Sequence, residues 1–194
     1  MTGTMEQPSE DIIRRCRARD AEAFCAVVGL YERPLFGFVH RLLWNSAYAG
    51  DCEDVVQEIF LKCYASIESY RQDRGQFSSW LFRIAHNHCI SLLRKRLGPL
   101  AMPASLDDIT ESRAIPAGST PRDAACEAET SARIAILIDA LPQDQKVALL
   151  LRCYEDMSYE QIAEVQGCSA GTAKTRVFRA REKLSEQLRE FLPA

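Results

Sequence analysis

The sequence has three histidines and two tryptophans in 194 residues, and no uncharged apolar run approaching the ~18 residues of a membrane span. It has no glycine-rich phosphate loop, no HExxH pair and no nucleophile elbow, so the common phosphate-binding, zinc-hydrolase and serine-hydrolase chemistries have no carrier and no enzyme is expected. The opening "MTGTMEQPSEDIIRRC" lacks the apolar core of a secretion signal, which predicts a cytoplasmic protein without membrane insertion. The eight cysteines stand singly at 16, 25, 52, 63, 89, 126, 153 and 168 with no CxxC pair, so they are read as reduced thiols packing as small hydrophobes rather than as a disulfide frame. What is present is ordinary: 47% apolar and 26% charged residues, enough for one good core or two small ones.

The formal net charge of -3 argues against an indiscriminate nucleic-acid binder, but its distribution is uneven. Residues 97–133 hold Arg113, Arg122 and Arg133 against Asp107, Asp108, Glu111, Asp123, Glu127 and Glu129, so the whole deficit lies in the middle of the chain. The same stretch contains Gly98, Pro99, Pro103, Pro116, Gly118 and Pro121 without a sustained period, and reads as an acidic, extended linker over 98–128. From about Asp123 the composition turns helical again.

On either side the pattern is helical and no strand alternation is convincing. Ala23, Phe24, Val27, Val28, Tyr31, Leu35, Phe38, Val39 and Leu42 recur at steps of three and four, with Pro34 expected to kink the rod. Asp51 or Asp54 can open a helix whose apolar side is Val55, Val56, Ile59, Phe60, Cys63, Tyr64 and Ile67. "YRQDRGQ" breaks the pattern, and a further helix is predicted from about Phe77 to Arg96, ended by Gly98 and Pro99. Beyond the linker the reading is helix over 134–141, a turn at Pro142, helices over 143–154 and 159–165, a turn at "QGCS", and a last helix from Ala170 to about Phe191. Ser158 and Gln161 have capping-box spacing. The expected fold class is all-α, in two small helical domains.

A short helix, a glycine turn and a second helix with a cationic outer face have the sequence form of a helix-turn-helix. At about 100° per residue, Ala173, Val177, Ala180, Leu184, Leu188 and Phe191 share one stripe of the last helix, and Phe178 falls opposite, with Thr175 and Arg179. An exposed ring there can pack on a thymine methyl, Arg179 can reach guanine or phosphate, and Lys174 and Arg176 flank the face at phosphate positions. The alternative is an ordinary charged surface with a ring that packs on a neighbouring domain.

The run "FSSWLFRIAHNHCISLLRKR" also mixes aromatics with cations. Phe77, Trp80 and Phe82 beside Arg83, Arg94, Lys95 and Arg96 suit stacking on single-stranded DNA, yet the same rings can equally be core. His86 and His88 lie two apart, on different sides of a helix, and do not share an ion; His88 is expected inward and His86 solvated. No metal and no cofactor are expected.

Together with their order and spacing, "DCEDVVQEIFLKCYASIESY", "FSSWLFRIAHNHCISLLRKR" and "LIDALPQDQKVALLLRCYEDMSYEQIAEVQGCSAGTAKTRVFRAREKL" resemble the extracytoplasmic-function group of bacterial sigma-70 factors, over about residues 11–192. The resemblance implies a sigma-2 domain (9–97) and a sigma-4 domain (129–194) joined by the linker, without catalytic residues. It implies core RNA polymerase (β′ clamp helices and β flap), promoter DNA and an anti-sigma factor as partners. The core contact would fall on Asp54, Gln57, Glu58, Phe60 and Leu61. Minus-ten recognition would fall on the 70–76 loop and the helix after it, through Tyr70, Arg71, Phe77, Trp80, Arg83 and Asn87. Minus-thirty-five recognition would use Lys174, Thr175, Arg176, Phe178 and Arg179. The family often has Arg at the position of His86. The rival, a helix-turn-helix activator that works without polymerase, would need a ligand pocket or phosphoacceptor aspartate in residues 1–96, and the sequence shows neither.

Overall fold

Ser9 starts the first helix by accepting a hydrogen bond from the Ile12 amide, and Asp20 starts the second by accepting from Glu22 and Ala23. These begin the first of two helical bodies in a computed structural model that describes residues 5–96 and 133–191. The first body contains α1 (Glu10–Arg17), α2 (Ala21–Leu43), α3 (Cys52–Ser66) and α4 (Phe77–Arg96), with two short 3-10 turns between α3 and α4. The second contains α5 (described over 133–139), α6 (Gln143–Cys153), α7 (Tyr159–Gln166) and α8 (Ala170–Phe191). No strand occurs among the described residues. The expected linker and the early helical turn at Asp123 lie outside them.

α2 runs through Pro34 as one helix of 23 residues. Val27, Tyr31, Leu35, Phe38, Val39 and Leu42 on one side are all buried, so tertiary packing holds the rod where the proline removes a backbone donor. α3, α4 and α1 pack around it. Phe82 of α4 meets Phe38 edge-on at 5.4 Å between centroids, and Phe24 meets Phe60 at 6.4 Å. Cys16, Cys52, Cys63 and Cys89 are buried in this core, and the seven described cysteines are free. Burial pushes the Cys63 and Cys89 thiols up to about 12, so both stay protonated and pack as hydrophobes.

In the second body Ser158 accepts from the Gln161 amide while the Gln161 side chain accepts from the Ser158 amide, completing the expected capping box. Gly167 ends α7 in the left-handed region (φ 64°, ψ 39°), where a side chain would be strained. Ser169 then receives the Thr172 amide and starts α8.

The two bodies pack through α4 against α7 and α2 against α6. Lys146, 3% exposed, reaches from α6 to the Leu42 carbonyl at the end of α2 (3.1 Å) and to Asp139 (2.5 Å); burial lowers its pKa and Asp139 opposes that shift. The Arg41 guanidinium lies 3.9 Å from the centre of the Tyr154 ring, beside the buried Glu155. Burial raises the Glu155 carboxyl to about 7 despite the opposing pull of Arg41. No helix among the described residues is long and apolar enough to cross a membrane.

Candidate nucleic-acid interface

α8 is oriented by its apolar stripe. Ala173, Val177 and Ala180 are at most 1% exposed, and Leu184 is packed against the core. The opposite side is therefore turned outward, and Phe178 is 64% exposed there, between the exposed Thr175 and Arg179 with Lys174 close by. Arg176 differs from its neighbours. Its guanidinium binds Asp144 at the start of α6 (2.5 Å) and Gln166 at the end of α7 (3.1 Å), bracing α8 against the helices behind it.

The loop between α3 and α4 is built from beneath by aromatic rings. Tyr70, Phe77 and Trp80 form a buried cluster with centroids 5.2–5.5 Å apart, and Tyr31 joins it at 5.5 Å from Phe77. The Tyr70 hydroxyl donates to the Gly75 carbonyl (3.2 Å), and Arg17 donates to the Tyr70 carbonyl (2.8 Å). Gly75 has φ 152° and ψ 174°, a conformation only glycine adopts easily. So anchored, the loop exposes Arg71, Gln72, Asp73 and Arg74, while Arg83 and Asn87 are exposed along α4. Of the two readings of the aromatic run, the structure places Phe77, Trp80 and Phe82 in the core.

This surface faces the second body. Gln161 of α7 donates to Gln76 (2.6 Å), and a Cβ on Gly75 would lie 2.7 Å from a Glu164 carboxylate oxygen. His86, expected to be solvated, is instead partly covered, near Asp144 and Arg176, and its pKa is lowered chiefly by burial. His88 points inward as expected and is 7% exposed.

On α3, Asp54, Gln57, Glu58 and Leu61 are exposed at spacings of three and four residues and so share one face. Leu61, at 68%, is an unusually exposed leucine among them, whereas Phe60 is 7% exposed and packs inward. A further surface, unmarked in the sequence reading, is an apolar groove of about 460 Å³ between α5, α6 and α8, floored by Ile138, Leu149 and Leu184 and edged by Arg181 and Arg189.

The chain matches the family Sigma-70 region 2 over residues 27–97 and the family Sigma-70, region 4 over residues 131–184. It is 32% identical over 191 residues to the ECF RNA polymerase sigma factor SigW of Bacillus subtilis (strain 168), covering 96% of this chain and 100% of that protein. The chain belongs to the extracytoplasmic-function sigma factors. Among other members, the ECF RNA polymerase sigma-E factor of Haemophilus influenzae is 35% identical over 188 residues, 93% of this chain and 95% of that one. The sigma factor RpoE of Bartonella quintana, solved in complex with the anti-sigma factor NepR, is 30% identical with a TM-score of 0.65, covering 87% of this chain and 98% of that one. CnrH in complex with the cytosolic domain of CnrY shares the fold, with a TM-score of 0.67 at 24% identity over 92% and 95% of the two chains. The two regions matched as sigma-70 regions 2 and 4 contain the anchored loop and the helix-turn-helix respectively. An ECF sigma factor directs RNA polymerase to promoters.

Proposed function

We propose that the first body, residues 9–97, joins core polymerase through α3 and reads the minus-ten element with the anchored loop, while residues 129–194 read the minus-thirty-five element with α8. Residues 98–128 connect them. The observation that carries this reading is Phe178, a large ring 64% exposed on the cation-bearing side of a helix whose other side is packed. Lys174, Thr175, Phe178 and Arg179 supply the contacts to duplex DNA, with Arg176 at the edge holding the helix in place. In the first body Arg71, Arg83 and Asn87 face the DNA, and Tyr70, Phe77 and Trp80 fix the loop from below. The protein acts in the cytoplasm and without chemistry of its own, by placing the polymerase.

Asp54, Gln57, Glu58 and Leu61 combine carboxylates with an exposed leucine, a composition suited to a basic, partly apolar partner helix such as the β′ clamp. The apolar groove edged by Arg181 and Arg189 suits a second partner helix with acidic flanks, as on the β flap or an anti-sigma factor. Control by an anti-sigma factor is supported by the likeness to RpoE solved with NepR. Co-purification with core polymerase tests the α3 surface. Asp54→Arg or Glu58→Arg should weaken binding while the fold stays intact, and undiminished binding by both variants would remove α3 from the contact.

A further inference from the structure

Glu58 and Lys62 lie one turn apart on α3, glutamate first, the arrangement in which helices ordinarily form an ion pair. They form none. Instead the His88 ring of α4 stands between them: the Lys62 ammonium contacts its Nδ1, and its Nε2 lies 3.1 Å from a Glu58 carboxylate oxygen. An ammonium only donates, so Nδ1 is the bare, accepting nitrogen and Nε2 carries the proton that faces the carboxylate. Burial first, then the Lys62 charge, lowers the imidazole pKa, which agrees with a neutral ring in that tautomer. Nε2 approaches Glu58 closely but without the alignment of a linear hydrogen bond, so it attracts the carboxylate without locking it. The Glu58 side chain stays 60% exposed and the His88 side chain 6%.

We infer that His88 is a positioning residue for the polymerase-facing side of α3, engaging Lys62 so that the Glu58 carboxylate is presented to a basic partner rather than neutralised by its own helix. The inference rests on the assignment of that side to the core contact. Without the ring, Lys62 is free to swing back one turn and pair with Glu58, and a partner cation then has to displace it before binding. Holding a side chain in its bound state beforehand lowers the cost of association.

Affinity of the full chain for purified core polymerase tests this, with thermal melting of each variant alongside. His88→Leu should weaken binding about three- to tenfold, the range expected for loss of one partly exposed charge contact. His88→Gln, whose amide can accept from Lys62 and donate to Glu58, should stay within about twofold of the parent. The deciding arm is Lys62→Met in the His88→Leu background, which removes the competing cation and should restore most of the affinity; a merely structural loss would not be repaired this way. If His88→Leu does not fold, His88→Asn, too short to reach both neighbours, carries the same expectation. Unchanged affinity in His88→Leu, or no recovery in the double variant while it melts normally, overturns the inference. Glu58→Gln separates the two levels: if it binds core like the parent, Glu58 makes no contact there and the inference fails with its premise, whereas weakened binding by Glu58→Gln with none in His88→Leu refutes the role of His88 alone.

Discussion

α4 and α8 both mix aromatic rings with cations, and the structure treats them in opposite ways. In α4, Phe77, Trp80 and Phe82 are 1%, 8% and 0% exposed; in α8, Phe178 is 64% exposed. Composition does not distinguish the two. Phase relative to the apolar stripe does, because Leu81, Ala85 and Cys89 continue the packed side of α4 begun by its rings, whereas Phe178 falls opposite Ala173, Val177 and Ala180. An aromatic in step with its helix's core is a stabilising residue, and one out of step is available to a partner.

The sharpest test is to truncate a ring on each helix. Phe82→Ala should cost about 3–5 kcal/mol of folding free energy, the usual price of an aromatic lost from a core, read as a lowered denaturation midpoint of the chain. A loss under about 1 kcal/mol accompanied by weaker single-strand binding would place this ring on the DNA side and erase the contrast.

The same contrast between packed and open positions applies to charge at Glu155. Its carboxyl is raised to about 7 in the folded chain, so the folded state holds the proton more tightly than the unfolded one. The stabilisation is fully present below the ordinary glutamate range and is lost as pH rises through 7. Melting of the parent and Glu155→Gln across pH 4 to 8 should diverge in that direction, by up to about 3 kcal/mol. Parallel curves would show that the carboxyl is hydrated.

On the open side, Phe178→Ala should weaken binding of the holoenzyme to a promoter carrying the upstream element by about 1–3 kcal/mol, with folding stability changed by less than about 0.5 kcal/mol. A destabilised fold with unchanged promoter affinity would invert the assignment of the two faces. The smallest effect is local: Ser158→Ala removes half of the capping box and should destabilise the second body by about 1 kcal/mol, and an unaltered melting temperature would mean that tertiary contacts alone hold α7.

The periodic part of this architecture was legible in the residues. α4 begins at Phe77 where its pattern predicts, and Phe178 is turned outward as its angle to Ala173 requires. The choice between Asp51 and Asp54 is settled for Asp51 at the cap position, though its side chain makes no capping bond. Contacts between distant segments left no such trace. His86 stands near Asp144 and Arg176, far along the chain, and His88 meets Lys62 across 26 positions, so neither contact follows from the period of α4. Lys146 did leave a signal, because Val147 to Leu151 is an unbroken apolar run with no polar side on which to place the lysine. Its buried partner, the Leu42 carbonyl 104 residues away, was beyond any local pattern.

That lysine has a consequence for how the two bodies respond to ionic strength. Its ammonium neutralises the negative end of α2 inside the joint, shielded from mobile ions, and counterions beyond reach of a buried charge hardly screen it. The cations of α8 are in the opposite situation, standing in solvent, where any hold on a phosphate backbone exchanges against dissolved salt and weakens steeply as its concentration rises. A rise in salt therefore loosens the grip of the second body on DNA long before it loosens the joint between the bodies, so the folded-together chain, rather than an opened one, is the form that high salt leaves behind.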